Sequence, residues 1–294
     1  MSAPETSAPG TNALETSVQR STLLAAHDVT VRFGGVVALD QVSLSVPEGS
    51  TVGLVGPNGA GKTTLFGVLS GLLRPKAGRV TMSGVDVTRR SPQHRAGKGL
   101  SRTFQRMELF TELTVREHLV LARRVKEGRE RLLGMARDLT GFGERPGPGE
   151  EGAVAEILAL LGLEAVSDRP ALAIPLGTGR LLEVARALAS EPTVMLLDEP
   201  SSGLDAHETE QLGEALRRVR AERGTAFVLV EHNVDFVLGL SDRVTVLDFG
   251  KLLIEGTPEE IRTSPAVQAA YFGAPLEERA GRAATDETDG EVDA

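Results

Sequence analysis

Apolar and polar positions alternate with period two in two runs near the start of the chain. Val29, Val31 and Phe33 alternate with Thr30 and Arg32, and Val42, Leu44 and Val46 with Ser43 and Ser45. This spacing puts the apolar side chains on one face of an extended strand, so the runs, turned by Gly34-Gly35, predict an antiparallel layer. Further on the pattern becomes continuous. Thr51 to Val55 reads as a buried strand, and Val194 to Leu197, ending in Asp198, reads as one buried on both faces. Strands at Ala226 to Val230 and Val244 to Leu247, with helical stretches at Leu65 to Leu73 and 206 to 222 between the runs, complete the alternation of a parallel α/β sheet.

Smaller signals fill the intervals. Gly78 to Met82 and Val85 to Val87 flank Ser83-Gly84 as a hairpin, and Leu100 to Phe104 is a short strand ending at Gln105. Thr114-Val115-Arg116-Glu117 is a capping box opening a helix through Leu119, Leu121 and Val125. A stretch rich in Gly, Pro and Glu from 141 to 152 predicts a surface insertion, followed by helices from Ala153 to Leu161 and from about Gly179 to Ala189. Thr257-Pro258-Glu259-Glu260 is a second capping box, with proline at the first helical position. Residues 1–21 and 274–294 have scarcely any large apolar side chains and read as disordered tails around one folded unit without internal repeats.

Composition narrows the setting. With 40% hydrophobic and 25% charged residues the 294-residue chain is ordinary for a soluble globular protein. No apolar run approaches the ~18 residues of a membrane span, the N-terminus lacks a signal-peptide pattern, and there is no cysteine, so a cytoplasmic, reducing setting is expected. The net charge of −9 is concentrated at the end: seven acidic residues after Phe272 face Arg279 and Arg282. The folded part is therefore only mildly acidic. With 3% aromatics it offers no nucleic-acid surface, and no nucleic-acid partner is expected.

The chemistry centres on Gly56-Pro57-Asn58-Gly59-Ala60-Gly61-Lys62-Thr63-Thr64, a GxxxxGK[ST] motif between a predicted strand and a predicted helix. Glycines let backbone N–H groups close around an anion, and the helix N-terminus adds a favourable dipole. Lys62 supplies a point charge, and the Thr63 hydroxyl is a ligand for Mg²⁺. Asp198 at a strand tip is the expected second Mg²⁺ ligand. Glu199 beside it is placed to polarise an attacking water.

With LLDEP at 196–200, SGLD at 202–205, Gln105 in TFQ and His232 in VEHN, the chain from 23 to 273 resembles the ATP-binding cassette (ABC) ATPases. Its detail is most similar to the ATPase subunits of branched-chain amino acid uptake systems, in RFGGVVALD, GLSRTFQRMELFTELTVREHL and SPAVQAAYFG. The resemblance implies an α/β P-loop fold with a RecA-like core and antiparallel β subdomain at about 22–91 and 190–273. A helical subdomain would be inserted at about 92–189. It further implies ATP stacked on Phe33 beside Ala38, phosphates held by Gly56 to Thr64, and Gln105 touching Mg²⁺ and the water. His232 would lie at the γ-phosphate and Asp205 at an interface with a second cassette. Implied partners are that cassette, a membrane permease reached through the segment from Gln105 to Leu113, and, indirectly, a periplasmic or extracellular solute-binding protein. The ATPase would then sit on the inner face of the membrane.

One motif departs from the family. Where the signature, commonly LSGGQ, is expected just before a helix, the chain has Ile174-Pro175-Leu176-Gly177-Thr178. Gly177 and the Thr178 hydroxyl at a helix N-terminus remain as its anion-binding groups. Two alternatives to a transport ATPase follow: a soluble ABC ATPase acting without a permease, and a poorly hydrolysing regulatory cassette.

Overall fold

The computed structural model describes residues 21–103, 108–130 and 148–272. Thr22–Phe33 (β1) and Val36–Pro47 (β2) form the expected hairpin. Ala77–Met82 (β4) pairs with the other edge of β1, and Val85–Asp86 (β5) completes an antiparallel sheet ordered β2-β1-β4-β5. Ser83 and Gly84 between β4 and β5 both have positive φ (45° and 77°), matching the right-handed twist of a two-residue hairpin.

The second sheet is ordered β10-β9-β3-β8-β7-β6. Its strands are Thr51–Val55 (β3), Leu100–Arg102 (β6), Val194–Asp198 (β7), Ala226–Val230 (β8), Arg243–Asp248 (β9) and Lys251–Gly256 (β10). All run parallel except β10, which turns back on β9. Every residue of β3, β7 and β8 is buried, as their continuous apolar runs require. The period of two still operates. Val194 and Leu196 enter the core shared with the antiparallel sheet and the helix Lys62–Ser70 (α1), whereas Met195 and Leu197 enter the opposite core. That opposite core is filled by the helices Val115–Glu130 (α3), Pro148–Leu161 (α4), Leu176–Leu188 (α5), Ala206–Arg223 (α6) and Val234–Leu240 (α7).

The boundaries differ from the sequence expectation in four places. α1 begins at Lys62, three residues early, and stops where Gly71 takes a left-handed conformation (φ 83°). The stretch expected to be helical from about 92 opens with a short helix, Pro92–Gly97 (α2), and then supplies β6 as an edge strand of the main sheet. Of the insertion at 141–152, residues 148–152 are the first turn of α4, where Glu150 and Glu151 complement the helix dipole; 141–147 lie outside the described residues. α5 starts at Leu176 rather than Gly179, because Pro175, fixed at φ −60°, serves as the residue before the helix and its carbonyl accepts the Gly179 N–H at 2.9 Å. Both capping boxes form, at Thr114/Glu117 and at Thr257/Glu260, the latter opening Pro258–Thr263 (α8). A last helix, Pro265–Phe272 (α9), packs beside β10. The tails lie outside the described residues, except Ser21, whose carbonyl accepts the Glu48 N–H at 2.8 Å.

Candidate functional site

Because β8 pairs with both β3 and β7, the carboxyl ends of these three strands open side by side, the usual place for a ligand in a parallel sheet. A cleft of about 260 Å³ lies there, lined by Ala38, Asn58 to Thr64, Glu199 and His232. The loop between β3 and α1 follows a path only glycine permits at its two ends. A Cβ on Gly56 (φ 152°) would sit 2.2 Å from the Leu247 carbonyl, and one on Gly61 (φ 102°) 2.8 Å from that of Ala38. Lys62 is buried and donates to the Gly56 and Pro57 carbonyls at 2.7 and 2.9 Å. Burial lowers its pKa, and the nearby Glu199 carboxylate opposes that shift. A cation on loop carbonyls beside the first amides of a helix is a phosphate-binding arrangement.

The acidic side is built from the ends of β7 and β8. Asp198 is buried and pairs with Arg102 of β6 at 2.8 Å; its own N–H reaches the Thr103 hydroxyl at 3.3 Å. Glu199 takes a positive φ (48°), uncommon for a residue with a side chain, while its N–H extends the β7–β8 pairing onto the Val230 carbonyl at 2.8 Å. That turn brings Glu199 Oε1 within 2.9 Å of His232 Nε2. A carboxylate accepts only, so Nε2 carries the proton in this pair. Glu231 fixes the spacing between the two loops: its Oε1 accepts the Ser201 N–H at 2.6 Å and its Oε2 the His232 N–H at 3.3 Å. Burial raises the Glu231 pKa, and the bonds to Ser201 oppose the rise.

The remaining expected residues divide. Ala38 lines the cleft, whereas Phe33 stands at its hairpin end, 53% exposed, without a place in the lining. Gln105 lies outside the described residues. Gly177, Thr178 and Asp205 are not among the residues lining the cleft, and Gly177 and Asp205 meet at Glu208. Asp205 caps α6 by accepting the Glu208 N–H at 2.8 Å, and the Glu208 carboxylate accepts the N–H of Asp205 and that of Gly177, both at 3.2 Å. Gly177 and Thr178 are thus in the first turn of α5 rather than ahead of it. No cluster of three or more metal-ligating side chains occurs among the described residues. This donor set fits Mg²⁺ carried by phosphates, which needs only one or two protein oxygens, such as the Thr63 hydroxyl in the cleft lining and the Asp198 carboxylate.

Sequence reasoning passed over Arg102, Glu208 and Glu231. Glu231 carried the same signal as Asp198, a carboxylate closing a fully apolar strand, Ala226 to Val230. Arg102 and Glu208 are distinguished only by the partners that folding brings to them.

Likeness to known proteins agrees with this geometry. The ABC transporter family matches residues 39–202, and a C-terminal family described as branched-chain amino acid ATP-binding cassette transporter matches 251–276. The high-affinity branched-chain amino acid transport ATP-binding protein LivG of Salmonella typhimurium is 38% identical over 251 residues, covering 85% of this chain and 98% of LivG. BraF of Pseudomonas aeruginosa, of the same description, is 36% identical with the same coverage. Among solved structures, the ADP conformation of MJ1267, an ATP-binding cassette of an ABC transporter, superposes with a TM-score of 0.73 at 30% identity, covering 86% of this chain and 99% of that one. A phosphate loop followed by an acidic strand tip lies inside the matched region, and the chain belongs to the ABC transporter family as one of its ATP-binding, ATP-hydrolysing proteins.

Proposed function

We propose that the protein powers uptake of a small solute, branched-chain or related amino acids, through a separate membrane permease. It would work as one of two paired cassettes on the inner face of the membrane, with a solute-binding protein delivering the substrate. The substrate class is supported by the likeness to LivG and BraF along nearly their whole length. The pairing is supported by the absence of Gly177, Thr178 and Asp205 from the cleft lining, since their expected contact with phosphate then calls for a second subunit. No helix among the described residues is long and apolar enough to cross a membrane, which is in keeping with a translocation path supplied by a partner.

The observation that carries the catalytic reading is the Glu199–His232 pair at 2.9 Å in the lining of the phosphate cleft. The loop amides and Lys62 bind the β- and γ-phosphates, the adenine extends past Ala38 out of the cleft onto the exposed Phe33 ring, and His232 contacts the γ-phosphate. Glu199 orients water for attack in line with the leaving group, and positioning with charge stabilisation supplies most of what phosphoryl transfer requires. Mg²⁺, held by Thr63 and Asp198 and, as the resemblance to the family implies, by Gln105, would supply neutralisation of phosphate charge when bound. Glu199→Gln keeps the side chain's size and removes its proton-accepting charge. Turnover is expected to fall at least ~100-fold with ATP affinity retained. In cells lacking the gene, wild type but not the variant restores uptake of labelled leucine. Wild-type hydrolysis by the variant sinks the catalytic assignment, and unrestored leucine uptake by the wild type sinks the substrate class.

A further inference from the structure

The chain's one tyrosine, Tyr271, lies near the end of α9, far along the sequence from the phosphate loop, yet its phenol oxygen accepts the Gly56 N–H at 2.7 Å. This contact answers a specific need. β3 pairs with β8 through Leu54 and with β9 through Val55, so Gly56 is the first residue beyond the ladder, and it is buried. Its N–H is a donor that neither strand satisfies. The other side of the same residue is also held: its carbonyl takes the Lys62 ammonium at 2.7 Å, and the Leu247 carbonyl of β9 fills the space a side chain would need.

A second bond comes from the same end of the chain. At the turn between β9 and β10, the Gly250 N–H reaches the Ala60 carbonyl at 3.1 Å. The C-terminal segment thus grips the phosphate loop near both ends, at Gly56 through a side chain and at Ala60 through backbone. α9 is anchored for this by Val267, buried in the helical core, with Tyr271 packed against that core. Burial raises the Tyr271 pKa, with the Gly56 bond opposing, so the hydroxyl stays protonated at neutral pH.

We propose that Tyr271 is a positioning residue for nucleotide binding: it holds the Gly56 peptide in the orientation that aims the phosphate loop, so the docking of the C-terminal helix sets affinity for the phosphates. The hydroxyl touches no reacting atom. Its loss therefore weakens binding of substrate and transition state alike, the uniform effect that raises KM and leaves kcat.

The inference rests on ATP binding by the chain, which the wild-type protein tests in the same assay. Tyr271→Phe removes the oxygen and keeps the ring. In the full-length variant, KM for MgATP and Kd for MgADP are expected to rise about three- to tenfold, the worth of one buried hydrogen bond, with kcat within about twofold of wild type. The Gly56 amide, followed by NMR hydrogen exchange, is expected to exchange at least about tenfold faster while amides in β7 are unchanged. Unaltered KM and unaltered Gly56 exchange overturn the proposal. So does a fall in kcat and Tm with KM unmoved, which would make Tyr271 a packing residue only.

Discussion

Arg95 in α2 is the largest side chain with no solvent exposure among the described residues, and its place behind α1 makes it a test of how the phosphate loop's helix is held. Its Nη1 donates to the Val68 and Leu69 carbonyls in the last turn of α1 at 2.6 Å, where Val68 also accepts the capping Gly71 N–H; its Nη2 donates to Val87 at 2.8 Å and Thr88 at 3.3 Å. Gly71 makes room, since a Cβ there would lie 2.9 Å from Nε. Arg95→Met keeps the bulk but loses all four bonds, leaving Val68 and Val87 only the backbone N–H groups of Gly71 at 3.2 Å and Arg90 at 2.9 Å. Counting only the bonds at 2.8 Å or shorter, at ~1.5–3 kcal/mol each, gives a loss of roughly 4.5–9 kcal/mol. Against this stands relief from burying a charge. Burial pushes the guanidinium's pKa down to about 10, a cost of roughly 3 kcal/mol that methionine does not carry. The net loss is ~1.5–6 kcal/mol, or a Tm lower by roughly 3–24 °C for a domain of this size. Calorimetry on the two proteins measures it. The sign against pH is also fixed. A base whose folded pKa is lowered gains stability only as pH rises above that folded value, so the deficit of the variant stays constant between about pH 6 and 9. A variant as stable as wild type, or a deficit that changes across that window, would refute the reasoning.

The Arg102–Asp198 pair is nearly buried, with side chains 16% and 7% exposed, so Arg102→Met strands a carboxylate and is expected to cost about 3 kcal/mol in urea unfolding; adding Asp198→Asn should recover most of it, and a double variant no more stable than the single one would contradict the pairing. Glu231, whose folded pKa is raised, contributes stability that is fully present below the ordinary glutamate value of about 4.3 and is lost as pH rises through the folded value. The Tm advantage of wild type over Glu231→Gln is therefore larger at about pH 4 than at about pH 8, and an advantage that grows with pH runs against the burial argument.

The sheet was legible because burial on both faces leaves a mark that survives in one sequence. β3, β7 and β8 are unbroken apolar runs, and β1 and β2 alternate as a half-exposed hairpin must. Helix ends were legible where side chains cap them, at Thr114 and Thr257, and missed where backbone or glycine decides, as at Lys62 and Leu176. β6 was read as a strand, but its place at the edge of the main sheet was missed, because three residues carry too little pattern to say which strand they will join.

The site divides along the same line. Groups that chemistry demands at a fixed spacing, Gly56 to Thr64 and Asp198-Glu199, stand out in the sequence alone, since each motif is local. Groups that act through partners distant in sequence do not: Arg102 lies 96 residues from Asp198, and Tyr271 lies 215 from Gly56. Glu208 gives this difference its sharpest consequence. In the sequence, Gly177 and Thr178 looked like an anion site open at a helix N-terminus, but the Gly177 N–H already meets the Glu208 carboxylate, which also completes the cap of α6 with Asp205. A Cβ at Gly177 would lie 2.6 Å from that carboxylate, so a larger residue there would push the Glu208 side chain off the Gly177 N–H. A phosphate approaching α5 from a partner must therefore displace or repel a resident negative charge. This signature thus carries, besides its missing serine, a carboxylate supplied from 31 residues away.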